Sequence, residues 1–277
     1  MTVAFVLSGG ASLGSVQVGM LRALHDHDVT PDLIVGTSVG AVNGSWLAGG
    51  GDVEGLATVW RSLERSDLFP IRPLTGLRGF LGQTNHFVPN SGLRRLLRRH
   101  LRFERIEDSS IPFHVVAADA IAGTEVILSE GPALESVMAS AALPAVFEPV
   151  SINGRPLIDG GVVNNTPITT AIELGATEVW VLSTGYSCAL DAPPDSAFAM
   201  AMHAVALLVQ QRLVLETSER DYPVPVHLIP PPCPITVTPI DFSQTDELIE
   251  EATAGTRQWL ADGHPPATPM VPHRHGD

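Results

Sequence analysis

Apolar and polar positions along this 277-residue chain follow two alternating rhythms. Val3–Leu7 is an unbroken β-prone run that stops at Ser8-Gly9-Gly10, the pattern of a strand buried on both faces that enters a tight loop. From Gly14 to His27, Val16, Met20, Leu21 and Leu24 recur at helical spacing. Leu33–Val35 then predicts a short strand and Val39–Leu47 a helix. Strand, glycine loop, helix, strand, turn, helix is the opening of a parallel α/β sheet.

The rest of the chain continues this alternation. Residues 67–89 read as a loop, punctuated by Pro70, Pro73, Gly76, Gly79, Gly82 and Pro89. Ser91–Leu101 predicts a helix with Leu93, Leu96, Leu97 and Leu101 on one face and Arg94, Arg95, Arg98, Arg99 and Arg102 around the rest. Phe113–Ala118 and Glu125–Leu128 predict strands forming a hairpin across Ala122-Gly123, and Leu134–Ala142 a helix. Pro156–Ile158 is a short strand ending at Asp159-Gly160-Gly161. Helices at Thr166–Leu174, Ser196–Glu219 and Thr245–Leu260 alternate with strands at Glu178–Leu182 and Val226–Ile229. The apolar segment Ala197–Val209 is assigned to the core in preference to the wall of an acyl channel. No repeat or linker divides the chain, so residues 1–262 are expected to form one domain, and the Pro- and His-rich residues 263–277 a disordered tail.

Three motifs carry candidate chemistry. Gly36-Thr37-Ser38-Val39-Gly40 is a G-x-S-x-G between a predicted strand and a predicted helix. Small neighbours on a sharp turn expose the serine hydroxyl, and the following helix N-terminus favours developing negative charge. The bland reading is a Gly-rich turn with a capping serine. Ser8-Gly9-Gly10-Ala11-Ser12-Leu13-Gly14 offers loop amides that suit either a phosphate or a tetrahedral oxyanion. It fits neither the G-x-G-x-x-G nor the Walker pattern. Asp159-Gly160-Gly161 places a carboxylate without bulky neighbours at a strand end, although an Asp-Gly turn alone reads the same way.

Taken in this order, with Ala139-Ser140-Ala141-Ala142-Leu143-Pro144 between the last two, the motifs resemble those of the bacterial patatin-like phospholipases. Leu7–Gly10 with Gln17 and Gly19 resembles the family's oxyanion block, and Gly36–Gly44 its nucleophile elbow. Ala139–Pro144 with Phe147, Pro149 and Val150 is similar to the third block, and Leu157–Pro167 to the Asp-Gly-Gly block. The resemblance spans residues 3–185. It implies an α/β fold with a central, mainly parallel sheet flanked by helices. It also implies an acyl-ester hydrolase in which Ser38 attacks the ester carbonyl and Asp159 takes the proton directly. The amides of Gly9, Gly10 and Ala11 are then the oxyanion hole, Gly36 and Gly40 shape the elbow, and Gly160 and Gly161 follow the base. No metal or cofactor is required. One departure is that Ala11 and Leu13 stand where the family usually has glycine and arginine, so Ala11 would be penalised at a positive φ. The same serine also leaves open an acyltransferase or thioesterase, and the altered loop a catalytically inactive lipid-binding module.

Charge narrows the partners. The net charge is −14, and all 16 basic residues are arginine. Residues 1–110 carry 11 Arg against 10 acidic side chains, whereas residues 111–277 carry 5 against 20. That balance excludes a nucleic-acid footprint. The resemblance implies an acyl lipid as the substrate, and the arginine-dense polar face of helix 91–102 suggests a peripheral membrane contact, against the plain reading of a solvated helix face. Cys188 and Cys233 have no metal-ligand spacing, and a reducing, cytoplasmic location is expected. The N-terminus lacks the basic region of a signal peptide, and the longest apolar stretch is too short for a membrane span. Among the ten histidines, His114 and His203 are the best placed for a Ser-His-Asp alternative, with structural roles favoured for both.

Overall fold

The computed structural model describes residues 1–70, 76, 81–184, 193, 195, 197–219, 221–235 and 237–264. Cys188 and residues 265–277 of the expected tail lie outside them. The strands are β1 (Val3–Leu7), β2 (Leu33–Thr37), β3 (Phe113–Asp119), β4 (Glu125–Leu128), β5 (Val150–Ile152), β6 (Arg155–Asp159), β7 (Glu178–Leu182) and β8 (Val226–Ile229). The main helices are α1 (Gly14–Asp26), α2 (Val39–Ala48), α3 (Val53–Ser62), α4 (Arg65–Leu68), α5 (Ser91–His100), α6 (Ala133–Ser140), α7 (Ile168–Glu173), α8 (Ala197–Glu219) and α9 (Thr245–Ala261). Short 3-10 turns occupy Ala11–Leu13, Ile106–Asp108 and Gly160–Val162.

All eight strands join one sheet in the order β5-β6-β3-β2-β1-β7-β8, with β4 paired to β3. The run β3-β2-β1-β7-β8 is parallel, while β4 and β6 pair antiparallel with β3 and β5 with β6. The expected mainly parallel sheet is therefore present. Its unbroken apolar strands follow from burial on both faces. In β1, Phe5 and Leu7 face one core cluster, built with α1, α2, α3 and α9, and Ala4 and Val6 face the other, built with α7. Helices α1 and α9 cross closely because Gly19 has no side chain: a Cβ there would lie 2.3 Å from the carbonyl oxygen of Ile249.

Several expectations need correction. Helix α3 was not read from the pattern, nor were β5 and the Asn153-Gly154 turn that joins it to β6. Helix α5 buries Leu93 and Leu97 in the core and leaves Leu96 part-buried, while Arg95, Arg98 and Arg99 are exposed. The segment assigned to the core, Ala197–Val209, exposes Met200, Val205, Leu207 and Leu208 instead. The cause is geometric. The first half of α8 is apolar on every side, but among its described residues the contact with the protein is made by Leu213, which joins the α7 cluster, and by the packing of the helix on the Gly160–Val162 turn. No described helix is long and apolar enough to cross a membrane.

Candidate active site

Both loops singled out in the sequence leave the carboxyl ends of parallel strands, where open α/β sheets bind ligands. The loop Ser8–Leu13 follows β1, and Ser38 follows β2. β3 brings the third element to them. It pairs with β2 as far as Val116↔Thr37 and takes up β6 from Ala117↔Asp159. Consecutive rungs on one strand therefore place Asp159 beside the residue that follows Thr37.

The outcome is direct contact. The Ser38 hydroxyl donates to Asp159 Oδ2 at 2.6 Å, and the Gly161 N–H donates to Asp159 Oδ1 at 2.8 Å. Asp159 is buried, with 4% of its surface exposed. Burial raises its pKa from 3.8 to about 6, against the opposing pull of the hydrogen bonds from Ser38 and Gly161. A carboxylate made more basic by its surroundings, in contact with a hydroxyl, is equipped to take that hydroxyl's proton. Ser38 has φ 55° and ψ −123°, the strained turn expected of an exposed nucleophile between strand and helix.

The glycine loop lies alongside. Ala11 adopts φ 52°, so the penalty foreseen for a β-carbon at this position is present, on the order of 1 kcal/mol. The Gly9 N–H donates to the Asn165 carbonyl at 3.3 Å, so this amide already has an acceptor. Gly10 and Ala11 are the loop residues whose amides have no hydrogen-bond acceptor among the described residues. Gly9 also sits so tightly that a Cβ would lie 2.4 Å from Asn165 Oδ1 and 3.0 Å from Ser38 Cβ.

A buried polar network supports these parts, and only some of its members stood out in the sequence. The Gln17 amide donates to the carbonyls of Ser8 (2.8 Å) and Leu182 (3.0 Å). Asn43 on α2 donates to Gln17 Oε1 (2.9 Å) and to the Gly14 carbonyl (3.0 Å), and the Trp60 indole on α3 donates to Asn43 Oδ1 (2.8 Å). The glycine loop and the elbow helix are thereby locked together. Thr184 Oγ1 donates to the Gly9 carbonyl at 2.7 Å, and Thr37 Oγ1 to the Asn164 carbonyl at 3.0 Å. Gly36 and Gly40 line the close approach of α2 to the sheet, and Gly160 lies against the Val116 carbonyl.

The two histidines singled out in the sequence stand apart from this contact. His114 shares a 2.7 Å hydrogen bond with Ser129, and partial burial holds its pKa down. His203 lies half-buried on α8. No described hydrogen bond links either of them to Ser38 or Asp159.

The family model for patatin-like phospholipases matches residues 5–172. The chain is 31% identical over 189 residues to patatin-like phospholipase domain-containing protein 6 of Mus musculus, covering 66% of this chain and 14% of that protein. It is 26% identical over 197 residues to lysophospholipase NTE1 of Mycosarcoma maydis, covering 67% of this chain and 10% of that protein. The chain thus spans about one-seventh or less of the length of these relatives. In fold it is similar to VipD from Legionella pneumophila, with a TM-score of 0.51 and 16% identity over 95% of this chain and 67% of that one. A family match over more than half of the chain, from residue 5 to residue 172, makes this protein a member of the patatin-like phospholipase family.

Proposed function

We propose that this protein is a lipid acyl-ester hydrolase, of phospholipase A or lysophospholipase type, working through a Ser38–Asp159 dyad and an acyl-enzyme. The observation that carries the reading is the 2.6 Å hydrogen bond from the Ser38 hydroxyl to a buried carboxylate of raised pKa. Ser38 Oγ attacks the ester carbonyl carbon while its proton passes to Asp159. The carbonyl oxygen becomes an oxyanion facing the Gly10 and Ala11 amides. Collapse breaks the bond to the alcohol, which leaves with the proton from Asp159, and the acyl group remains on Ser38. Water then attacks the acyl-enzyme, Asp159 takes its proton, and the fatty acid departs as Ser38 is reprotonated. One domain over residues 1–262 would hold every group this cycle uses.

The acyl lipid is the proposed substrate, met in the cytoplasm at a membrane surface. Helix α5 contributes the exposed charges of Arg95, Arg98 and Arg99 to such a contact, and α8 the exposed apolar side chains Met200, Val205, Leu207 and Leu208. The direct test is to incubate purified protein with lysophosphatidylcholine and phosphatidylcholine carrying a labelled acyl chain, with and without an acceptor alcohol. Free labelled fatty acid as the main product in both conditions supports hydrolysis. Transfer to the alcohol in preference to water would make the protein an acyltransferase. No turnover, with the labelled lipid retained, would leave it a lipid-binding module.

The pKa of Asp159 adds a pH prediction. The base must be unprotonated, so kcat/KM for a short p-nitrophenyl ester rises with pH along an acid limb centred near 6 and is level above it. A limb that persists unchanged in Asp159→Glu but disappears in a folded histidine variant would assign the proton to a histidine instead.

A further inference from the structure

We infer that Ser140 is a positioning residue for Ser38, and that the C-terminal end of α6 sets the spacing between the two catalytic groups. This rests on the dyad reading above. Ser140 is the last residue of α6 and has none of its surface exposed. Its Oγ accepts the Ser38 backbone N–H at 2.8 Å, and its own proton goes to the Val116 carbonyl at 2.6 Å. Two residues on, the Ala142 carbonyl accepts the Asp159 backbone N–H at 3.0 Å. One short stretch of chain therefore grips the backbones of both Ser38 and Asp159.

The chemistry requires a hydroxyl at that place. At its positive φ, Ser38 points its N–H away from the α2 ladder, whose first turn is bonded instead to the Ser38 carbonyl by Ala41 and Val42. The part-buried N–H is held by that acceptor, and the strained turn persists only if its surroundings over-determine it. The Ser140 oxygen can accept because its proton is already directed to Val116, and a donating hydroxyl is a better acceptor. Val116 is itself on the rung paired with Thr37, and its carbonyl lies against Gly160, next to Asp159: a Cβ on Gly160 would come within 2.3 Å of it. Ser140 is thus the link that ties the elbow to the strand from which Asp159 hangs. Without it, the turn at Ser38 relaxes toward ordinary backbone angles and Oγ moves out of line with Asp159.

The test uses Ser140→Ala and Ser140→Thr in the full chain, with turnover of a short p-nitrophenyl ester expressed per folded protein. Ser140→Ala is expected to lower kcat by about 10- to 100-fold with KM within about twofold, the scale of effect seen when a reacting group is misplaced by an ångström. Its acid limb moves to higher pH, because the Ser38 hydrogen bond that holds the Asp159 pKa down is weakened. Ser140→Thr keeps the hydroxyl and recovers most of kcat. Labelling of Ser38 by a fluorophosphonate follows the same order. The inference is overturned if Ser140→Ala keeps kcat within about twofold of wild type. It is equally overturned if Ser140→Ala loses only melting temperature with the acid limb unmoved, or if Ser140→Thr is no better than Ser140→Ala. If Ser140→Ala does not fold, Ser140→Cys, which keeps the volume and weakens both hydrogen bonds, decides by the same readouts. Full activity in Ser38→Ala would sink the dyad itself, whereas loss there with none in Ser140→Ala sinks only the role of Ser140.

Discussion

Asp159→Asn lowers ester hydrolysis by at least about 10³-fold and at the same time raises the melting temperature at pH 8. The two effects have one cause. The folded-state pKa of Asp159, about 6, lies above the 3.8 of the free carboxyl, so folding disfavours its ionised form. Between the two values the folded state holds a proton that the unfolded state has released, and stability therefore falls as pH rises through this window. Above pH 6 the full penalty is present, on the order of 3 kcal/mol for a shift of this size. Asparagine removes the charge while its carbonyl oxygen can still accept the Gly161 N–H. A gain of roughly 5 °C is expected at pH 8, shrinking toward zero near pH 4. Ser38→Ala loses activity to a similar extent without that gain, because it strips a hydrogen bond from a carboxylate that is already poorly solvated. The double variant is no slower than either single one, since the pair acts as a unit. Turnover of a p-nitrophenyl ester and thermal melts at pH 5 and pH 8 check all four proteins. Near-normal turnover in either single variant would remove that residue from its role, and a lower melting temperature for Asp159→Asn at pH 8 would show that the carboxylate is not the strained group.

This coupling of strain and reactivity could not be read from the sequence, although the residues could. Ser38 and Asp159 stood out because glycines surround them in patterned blocks, and β1, β2 and β7 because strands buried on both faces leave continuous apolar runs. Helix α3 left a fainter signal: Asp52 caps it by accepting the Gly55 N–H, and only Leu56, Ala57 and Trp60 are buried. β5 is three residues long, too short for an alternation, and the Asn153-Gly154 pair at its turn, the one local signal there, went unread. α8 misled for the opposite reason. An apolar composition indicates that a helix can be buried, but which side meets the protein depends on distant partners such as the Gly160–Val162 turn. At the site, nothing local distinguishes the Gly9 amide, committed to Asn165, from the amides of Gly10 and Ala11. The pKa of Asp159 and the grip of Ser140 likewise exist only once segments more than 100 residues apart have met.

Gly40→Ala is expected to damage both stability and turnover, although it adds a single methyl group two residues from Ser38. A Cβ at this position would lie 2.1 Å from the Leu7 carbonyl oxygen, 2.5 Å from the Leu7 carbonyl carbon and 2.7 Å from the Ser8 carbonyl oxygen. All three atoms are backbone, and β1 cannot retreat, because it is paired with β2 on one side and β7 on the other. The N-terminus of α2 must yield instead, carrying Ser38 with it. Forcing such overlap destabilises by about 1–3 kcal/mol, and a displacement of about 1 Å at the reacting atom is enough to lower turnover by about 10²-fold. Gly255→Ala on the exposed face of α9 is the matched control: a Cβ there meets nothing within 4 Å, and the helix gains about 0.5–1 kcal/mol from losing a flexible residue. Urea denaturation and per-molecule turnover of the two variants separate the effects. A Gly40→Ala protein with wild-type stability and turnover would mean that α2 can move away from β1 without disturbing Ser38, and the close approach at the elbow would then have no part in holding the site.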